Sequence, residues 1–599
     1  MTARIKGWLA SPRARWLVPV IAILLASPAL TGGWAADDHL HRVLLMDDTV
    51  IDGFAPTDWD LFEFASGDPE RMKRLMDRGV FPWTTDPELR LAFARPLSAL
   101  THRLDHALWP DSEVAAVAHN LAWFALLLWV LGALYRRIHA TPWVAGIALA
   151  MYAFDDLHGP TFSWIANRQA MISAVFGLAA LIVHDRWRRG GWRPGVWVGP
   201  VLLLLALGAG ESSLAVTGYL FAYTLFIDPR RSPRQFLVGL GPYVAVAVAW
   251  LIAYRAGGYG AHHSGAYIDP GADPLKFASQ AADYVPVLLT SQLAGVWSDF
   301  YAVLPEATAR TFWIGCLVYL LLVLDVLKVT LARVAEARFW ATGMIIAAIP
   351  ISSTIPADRL LIFVGVGAMG LVACFFEAPE GEPGKSASSR VRRFSVKTWT
   401  VGFVLAHLIA GPLLMPIRAR SMHTVGGSLE RSSQSLPMDT SVADKTVVAV
   451  NPPADPYMAF VPLMRASLGQ PIPGRQRWLA VGQTAVSVLR EDPRTLRVAP
   501  DGGYLQLVSE RLVRHPERSF RAGQRVELAG VTVEVVELTA DGRPAETRWR
   551  FSHPLSDARF VWVRWSDEAV GWVSWMPPKV GERVTLPAVD GVRAFLGPD

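Results

Sequence analysis

The chain has 599 residues, of which 52% are hydrophobic and only 18% are charged. Soluble proteins carry about 25% charged residues, so this composition indicates a polytopic membrane protein. The net charge of +5 is no sign of nucleic-acid binding, because the basic residues concentrate in short loops between apolar runs. Cys316 and Cys374 both fall inside apolar runs, so neither a disulfide framework nor a thiolate metal site is expected.

The first apolar run covers residues 16–30 and follows a basic N-terminus with Arg4, Lys6, Arg13 and Arg15. Together with the small residues Ala35 and Ala36, this pattern could form a cleaved signal peptide. A multi-pass chain needs no separate signal, however. We therefore interpret the run as a first span that leaves the N-terminus in the cytoplasm.

Ten further apolar runs are candidate spans, so the chain is expected to cross the membrane about eleven times. They lie near residues 114–135, 142–157, 169–185, 195–210, 212–228, 235–254, 311–329, 339–354, 358–376 and 398–415. With a cytoplasmic N-terminus, every basic loop falls on the cytoplasmic side, as the positive-inside rule requires. Those loops are residues 136–137, 186–193, 230–234, 328–338 and 385–397. The odd number of spans then places the C-terminal part outside the plasma (bacterial inner) membrane.

Residues 285–303 form one more apolar segment, which does not fit this alternation as a span. Counting it as a membrane crossing would move every later basic loop to the outer side, against the positive-inside rule. We therefore expect a helix that lies in the outer membrane interface or dips into it.

Residues 34–42 place two adjacent carboxylates, Asp37 and Asp38, where the first span leaves the bilayer. Carboxylates so close to hydrocarbon are costly unless a water-filled cavity or a partner receives them. Adjacent residues cannot share one helix face, so one carboxylate can point into a cavity while the other orients it or binds a cation. The alternative is that the pair only marks the solvated end of a helix.

Ionisable residues gather in the segments that this topology places outside. The first, residues 35–113, has leucines at helical spacing with His102 and Asp105 on another side, which predicts a helix at the membrane surface. These leucines are Leu97, Leu100, Leu104 and Leu108. Residues 155–168 and 256–310 form two more outer segments, and two further outer turns carry Glu211 and Arg359. This clustering at one face is a stronger sign of function than any single residue.

Several motifs occur in an order that resembles a known family. Residues 93–109, with Arg95-Pro96-Leu97, and residues 118–121 resemble the Arg-Pro-Leu and Asn-Leu segment of GT-C membrane glycosyltransferases. Within that class they are most similar to the protein O-mannosyltransferase-like group with transmembrane and tetratricopeptide regions, and to its bacterial relatives. The other motifs resemble that group's Trp-Ile-x-Gly-Arg, Lys-Glu-Ser and Glu-Arg-x-Leu-Tyr-x-Pro-x-x-Gly; they are residues 164–168, 210–213 and 357–365.

The resemblance extends, in patches, over about the first 375 residues. His158 stands where the group has a histidine before the motif arginine. Asp37 and Asp38 match the acidic pair of the first outer loop, where the class keeps its catalytic carboxylate. The chain departs from the pattern in having no tetratricopeptide array and at three positions that bear on donor and acceptor: Pro160 for an acidic residue, Asn167 for the motif glycine and Ala170 for an aspartate.

The resemblance implies transfer of a sugar, of hexosyl or mannosyl type, from a polyprenyl-phosphate donor to a hydroxyl of a protein or glycan acceptor. Direct displacement needs a base for the acceptor hydroxyl and cations for the departing phosphate. Asp38 or Asp37 would be the base, and Asp38 is favoured because Asp37 is expected to cap the turn that follows. Arg168 and Arg359 would hold the phosphate in bidentate fashion. The expected partners are this donor, the acceptor and membrane lipids, and no nucleic acid.

Four more residues are candidate substrate- or phosphate-binding groups, each with a structural alternative. His102 and His158 could donate to phosphate or sugar oxygens, although a lone histidine is more often structural. Arg95 could equally be an anchor at the membrane interface, and Glu211 could be a helix cap or dipole partner. A divalent cation could bind beside the acidic pair, but no spacing demands one. Metal ligands therefore stay unassigned, and no other cofactor is expected.

The composition changes after Pro416. Residues 416–445 are polar and serine-rich, which is typical of a linker. Residues 446–599 are predicted to form an external all-β domain, a sandwich or partial barrel, from short alternating runs. The runs are residues 447–450, 486–489, 495–498, 526–528, 531–538, 549–551 and 560–565. Between the first two, residues 451–455 could form a site loop, although a turn is favoured.

These observations predict a polytopic α-helical membrane protein with a GT-C-like architecture and an external β domain. Residues 1–415 would form the glycosyltransferase region, with outer loops at residues 35–113 and 256–310. The alternative is a non-catalytic transporter, or a membrane scaffold that displays the β domain. A transporter would place broken helices and charges near the bilayer midplane, and a scaffold would not need the ionisable cluster at the outer face.

The first testable prediction concerns topology. Reporter fusions at Gly190 and Ser386 should report a cytoplasmic location, because both positions lie in or beside basic loops. Fusions at Ser264 and after Asp599 should report an external location. A cytoplasmic C-terminus would contradict the odd number of spans, and with it the gathering of ionisable residues at one face.

Overall fold

The computed structural model describes residues 2–230, 232–377 and 387–598. The chain divides into two compact units, which we call the helical unit and the composite unit. The helical unit comprises Met1–Gly33, Phe93–Gly258 and Asp269–Met422, and the composite unit comprises Trp34–Ala92, Tyr259–Ile268 and His423–Asp599. Four residues used in the topology prediction lie outside the described residues: Arg231, Lys385, Ser386 and Asp599.

Helices dominate the chain up to residue 434. In chain order they begin with α1 Ala3–Ala10, α2 Pro12–Ala26, α3 Asp37–Leu44, α4 Pro69–Arg78, α5 Pro96–Leu108, α6 Glu113–Ile138, α7 Pro142–Ala153, α8 Gly159–Ser163, α9 Arg168–Arg188, α10 Gly195–Ala209, α11 Ala215–Phe226 and α12 Pro233–Ala256. They continue with α13 Pro274–Ala294, α14 Glu306–Arg333, α15 Ala335–Ile351, α16 Ile362–Glu377, α17 Ala387–Val404, α18 Gly411–Arg418, α19 Ser421–Gln434, α20 Pro456–Ser467, α21 Val508–Arg511 and α22 Gly591–Leu596. A π-helical turn, Leu405–Ala410, joins α17 to α18.

The strands all belong to the composite unit. They are β1 Glu63–Ser66, β2 Arg90–Ala92, β3 Gly260–His262, β4 Thr446–Ala449, β5 Arg475–Trp478, β6 Val486–Asp492, β7 Thr495–Pro500, β8 Arg525–Leu528, β9 Val531–Leu538, β10 Pro544–Phe551, β11 Phe560–Ser566, β12 Gly571–Ser574 and β13 Arg583–Leu586. They form three sheets with strand orders β1-β2-β3, β13-β6-β7-β10-β9-β8 and β12-β11-β4-β5.

Six helical stretches are long and apolar enough to cross a membrane: Pro12–Thr31, Glu113–Ile138, Ile165–Arg188, Pro233–Ala256, Glu306–Arg333 and Val391–Gln434. The shorter apolar helices α7, α10 and α16 have 12, 15 and 16 residues. Every predicted span coincides with a helix, because long apolar runs satisfy their backbone hydrogen bonds internally. Among the described residues, however, length and composition support six spans, so the count of about eleven is not confirmed.

Two helices of the helical unit were predicted to lie at the membrane surface. In α5 the predicted amphipathic pattern is confirmed: Leu100, Leu104 and Leu108 are exposed, whereas His102 and Asp105 are buried. The apolar segment at residues 285–303 instead belongs to two elements. Helix α13 starts well before it, at Pro274, and a 3-10 helix at Ser298–Val303 follows.

The predicted linker is largely helical. Residues 421–434 form α19, which is part of the long apolar stretch Val391–Gln434. Its serines were interpreted as typical of a linker, and the structure shows that Ser428, Ser432 and Ser433 are buried. Ser432 Oγ donates to the carbonyl oxygen of Tyr457 in α20 at 2.8 Å. Small hydrogen-bonding side chains therefore let α19 pack closely.

The C-terminal part is not all-β. The predicted strands are present, but β4, α20 and β5 form a βαβ unit, because β4 pairs in parallel with β5 on one side and with β11 on the other. Parallel neighbours need a crossover, and α20 provides it. The favoured turn at residues 451–455 is the connection from β4 to α20. The six-stranded sheet, in contrast, is antiparallel throughout.

One apolar core joins outer-loop residues to the C-terminal strands. Trp83, from the first outer loop, packs its ring on Tyr504 and Trp549, with centroid distances of 5.2 and 6.2 Å. The same buried cluster contains Met72, Met76, Leu89 and Leu91 from the loop and Val448, Val488, Val498, Val533 and Phe551 from the strands. The compact units therefore cut across the predicted boundaries, since residues 34–92 fold with the C-terminal region.

Buried side chains of the C-terminal region also donate hydrogen bonds to backbone carbonyls of the first outer loop. Three residues do so, with donor–acceptor distances between 2.5 and 3.3 Å: Gln476 to Gly79, Arg477 to Met76 and Asp77, and Arg514 to Thr84 and Thr85. A buried carbonyl without a partner is costly, so these bonds help to satisfy the backbone of the loop and of the last turn of α4.

The second prediction concerns the closest of these approaches. Gly79 has φ +86°, and an added Cβ would overlap the carbonyl oxygen of Gln476. Gly79→Ala should therefore lower the free energy of unfolding by about 3 kcal/mol or more, as overpacking adds to backbone strain.

Gly469→Ala is the matched control, because Gly469 also has a positive φ, +65°, but faces open space. It should cost only about 1 kcal/mol. Thermal unfolding of both purified variants is the measurement. Equal losses would show that the loop does not pack on β5 as closely as described.

Candidate active site

Two acidic residues follow α7 in the helical unit, in a segment predicted to lie outside. Asp155 and Asp156 are 2% and 3% exposed. Gln292 Nε2 donates to Asp155, and Trp297 Nε1 donates to Asp156 Oδ2 at 2.8 Å. Both partners come from α13 or the turn after it, which is a second predicted outer segment.

Asp358 brings a third outer segment into this cluster. It accepts hydrogen bonds at 2.7 Å from the backbone nitrogen and the hydroxyl of Ser298. Arg418, at the end of α18, donates to Asp358 at 2.7 Å and to Asp299 at 2.9 Å. Its guanidinium also lies 4.4 Å from the ring centroid of Trp297. Arg418 therefore ties α18 to two loops that are distant in sequence.

We call these residues the acidic cluster: Asp155, Asp156, His158, Asp299, Asp358 and Arg418. Burial raises the pKa of Asp155, and the neighbouring carboxylate of Asp156 raises it further. Burial likewise raises the pKa of Asp156 and of Asp358. Four carboxylates thus share one guanidinium, so the cluster favours any further cation or proton that reaches it.

His158 is the member that was predicted from sequence. It is 1% exposed, and neither ring nitrogen has a hydrogen-bond partner among the described residues. Its Nε2 lies 3.9 Å from Asp155 Oδ2. Burial lowers the pKa of His158 to about 3, so the ring is neutral at pH 7. It can therefore donate from one nitrogen and accept, or bind a metal ion, with the other.

Arg359 follows Asp358 directly and is half-buried. Its guanidinium lies over the indole of Trp164, 5.0 Å from the ring centroid. It forms no ion pair with any described residue. Two motif residues that lie far apart in sequence are therefore in contact, and the charge of Arg359 is not neutralised by a carboxylate.

Arg168 lies in a different environment. It is fully buried and forms an ion pair with Asp105 of α5. It also donates to Asn120 and to the carbonyl oxygens of Thr101 and Ala116. Helices α5, α6 and α9 meet at this guanidinium. Phosphate binding by Arg168 stays a prediction, and it would require this network to open.

Three candidates of the helical unit remain: Arg95 and Glu211, which contact each other, and His102. Arg95, at the start of α5, forms an ion pair with Glu211 at 2.9 Å, so two separately predicted residues are brought together. His102 is buried on the inner side of α5. The binding roles predicted for these three residues stay predictions.

Asp37 and Asp38 belong to the composite unit and open α3. Asp38 is 2% exposed, and its Oδ2 accepts the backbone N–H of Ala35 at 2.9 Å. Asp37 is half-buried. Asp38 therefore makes a local backbone contact, and capping of the following turn by Asp37 stays a prediction. Ala36, just before the pair, has φ +49°, a conformation that costs a non-glycine residue about 1–3 kcal/mol.

One group among the described residues has three ligating side chains close enough to hold a metal ion: Asp86, Glu88 and His263. All its ligand atoms lie within 4.8 Å of one another. Arg518, however, forms ion pairs of 2.6 Å with both carboxylates. Because the group is already neutralised, we do not assign a metal to it.

Sequence analysis did not single out the carboxylates of the acidic cluster as site residues. Asp155 and Asp156 stand in a quoted outer segment, and Asp358 precedes a predicted arginine. Their position could have indicated a site, because each of these three aspartates lies at the predicted outer end of an apolar run. Asp299 and Arg418 gave no such signal, since only the fold brings them to the other three.

Comparison with known proteins gives a weak likeness to one class. No family model matches the sequence, and no curated protein matches it. The fold is similar to two structures of an oligosaccharyltransferase of the archaeon Archaeoglobus fulgidus, which is a GT-C glycosyltransferase. One structure is tethered with an acceptor peptide containing the NVT sequon, at TM-score 0.38 and 13% identity, covering 78% of this chain and 64% of that chain. The other contains an inhibitory peptide and a dolichol-phosphate, at TM-score 0.39 and 13% identity, covering 76% and 64%.

These solved structures belong to the class that the motifs of this chain resemble. Their TM-scores are below 0.5, so the overlap concerns the general course of the chain and assigns neither a donor nor an acceptor. The match also spans less than two thirds of the archaeal chains. Activity, substrates and partners must therefore be argued from the residues of this protein.

The third prediction separates the two arginines by stability. Arg168→Gln should lower the free energy of unfolding by about 3–5 kcal/mol, because it breaks a buried ion pair and leaves the Asp105 carboxylate without its arginine, with its contact to His119 remaining. Arg359→Gln removes only an aromatic contact, which is worth about 0.5–2 kcal/mol. Thermal unfolding in detergent is the measurement. Equal destabilisation of the two variants would contradict the different environments described here.

Proposed function

We propose that this protein is a GT-C-type glycosyltransferase that transfers a sugar from a polyprenyl-phosphate donor to an acceptor hydroxyl at the outer membrane face. One observation carries the proposal: three predicted outer segments and the end of α18 meet in the acidic cluster. Burying an ionisable group near the membrane costs free energy. Such groups therefore mark functional sites more often than they serve a purely structural role. The same segments contain the motifs that resemble the family.

Direct displacement forms a bond between the acceptor oxygen and the anomeric carbon of the sugar. The bond from that carbon to the phosphate oxygen breaks, and its electron pair leaves with the polyprenyl phosphate. The proton of the acceptor hydroxyl passes to a carboxylate, which we assign to Asp37 or Asp38. The strained backbone at Ala36 supports this assignment, because such strain is kept where the position of a functional group matters.

Arg359 is our candidate for holding the departing phosphate. Its guanidinium can bind phosphate oxygens in bidentate fashion, and Trp164 restricts its orientation. Arg168 is already occupied by Asp105 and by backbone carbonyls, so we assign it the role of holding α5, α6 and α9 in place. His158 could donate to a sugar or phosphate oxygen from its neutral ring.

We propose a divalent cation, if the reaction uses one, beside Asp37 and Asp38, because carboxylate oxygens are common ligands for divalent metals. Among the described residues, the acidic cluster does not bring three ligating side chains close enough to one another to hold such an ion. When bound, the cation would neutralise carboxylates and favour binding of the phosphate of the donor.

The fourth prediction tests the proposed base. Asp37→Asn and Asp38→Asn keep the size and hydrogen bonding of the side chain but remove its negative charge. One of the two should lower the rate of sugar transfer by about 10²–10⁴-fold, the usual contribution of a general base. Membrane insertion and thermal stability should stay near those of the wild type. The measurement is transfer from a polyprenyl-phosphate sugar in membranes, with and without EDTA.

The second aspartate separates two roles. Its Asn variant should have a smaller effect if that residue only orients its neighbour, and a comparable, EDTA-sensitive effect if the pair helps to hold a metal ion. Wild-type transfer in both single variants and in the double variant would disprove the catalytic role of this loop.

A further inference from the structure

Helix α3, which carries the acidic pair, contacts the C-terminal region. His39 and Arg42 are three residues apart and so share one face of α3. His39 Nδ1 lies 2.7 Å from the hydroxyl of Ser467, and Arg42 Nη2 donates to the carbonyl oxygen of Ser467 at 3.1 Å. Ser467 is the last residue of α20. One residue of the C-terminal region therefore contacts two side chains of α3.

This contact is buried and specific. His39 and Ser467 are 2% and 3% exposed. Burial lowers the pKa of His39 to about 4, so the ring is neutral at pH 7 and serves as a hydrogen-bond partner. Arg42 also lies over the indole of Trp34, 4.5 Å from the ring centroid. Arg42 thereby joins the end of α20 to the backbone segment just before the acidic pair.

The segment before α3 is seated against a second C-terminal helix. An added Cβ at Gly426 of α19 would lie 2.8 Å from the carbonyl oxygen of Trp34 and 3.4 Å from Ala35 Cβ. Only glycine permits so close an approach. Ala36 then takes its positive φ, and the backbone N–H of Ala35 is held by Asp38. The backbone at residues 34–38 is thus fixed from both sides.

We propose that α20, through Ser467 and His39, positions the Asp37–Asp38 pair for sugar transfer. The C-terminal region would then be a working part of the active site and not a separate module displayed outside. This inference rests on the proposed function, because it concerns the same acidic pair. Ser467, His39 and Arg42 are positioning residues, since they act through α3 and touch no reacting atom.

The reason for such an arrangement is geometric. A general base must lie within hydrogen-bond reach of the acceptor hydroxyl, and a misplacement of about 1 Å can cost about 10²-fold in rate. A short helix with a strained entry does not keep such a position by itself. The contact at Ser467 ties it to the βαβ unit of the C-terminal region, where β4 is paired on both sides.

The test compares two buried serines of the full-length protein. Ser467→Ala removes the hydroxyl that contacts His39. Ser432→Ala is the matched control, because Ser432 also hydrogen-bonds α20, at the carbonyl of Tyr457, but forms no hydrogen bond with α3 among the described residues. Ser467→Ala should lower kcat for transfer by about 10–100-fold with little change in the KM for the donor. Ser432→Ala should keep kcat near that of the wild type.

Two further measurements keep the test decisive. Hydrogen exchange of the α3 amides should become faster in Ser467→Ala and stay unchanged in Ser432→Ala, whether or not activity is measured. His39→Asn, whose amide can replace Nδ1, should retain more activity than His39→Leu at similar thermal stability. If Ser467→Ala does not fold, the comparison of the two His39 variants still tests the positioning role.

Three results would overturn the inference: wild-type kcat in Ser467→Ala, equal loss of kcat in both serine variants, or equal loss in both His39 variants. Failure of the proposed function gives a different pattern. If both aspartate variants transfer sugar at the wild-type rate, the acidic pair is not catalytic. If they are inactive while Ser467→Ala is fully active, only the positioning role fails.

Discussion

The composite unit depends on buried donors that satisfy the backbone of the first outer loop. Arg477 and Arg514 donate to its carbonyl oxygens from the C-terminal region. Burial lowers the pKa of each to about 10, which still leaves both protonated at neutral pH. Hydrogen bonds from a charged donor are stronger than neutral ones, and a lost partner would leave a buried charge. An irregular loop can therefore be as firmly held as a strand.

In the helical unit, buried arginines likewise connect distant segments, but they do so by pairing with carboxylate side chains. Arg168 joins three helices through Asp105, and Arg418 joins α18 to two loops through Asp358 and Asp299. In both places a guanidinium with several hydrogen-bond donors connects segments that are far apart in sequence, so no local sequence pattern predicts the contact. Arg359 differs, because it has an aromatic contact and no carboxylate among the described residues. This difference is the basis of our proposal that Arg359, and not Arg168, holds the departing phosphate.

Sequence patterns predicted those elements whose formation depends on residues close together in the chain. Apolar runs locate the helices, alternation locates most C-terminal strands, and leucine spacing locates α5 with Asp105 on its buried side. The serine-rich stretch that forms α19 was assigned to a linker, since composition does not show whether a serine is buried. Of the candidate site residues, Asp38, His158 and Arg359 were selected from motifs. The contact of Arg418 with Asp358 and that of His39 with Ser467 join residues 60 and 428 positions apart, which no periodicity encodes.

The composite unit also imposes an order on biogenesis. Its first segment ends at Ala92 and its last begins at His423, so 330 residues (422 − 92) must be synthesised between them. At about 5–20 residues per second, this delay is roughly 15–70 s. During that time Met72, Met76 and Trp83 have no C-terminal strands to pack on, because those strands do not yet exist. The apolar side chains of the nascent loop therefore stay outside their native core until those strands are synthesised.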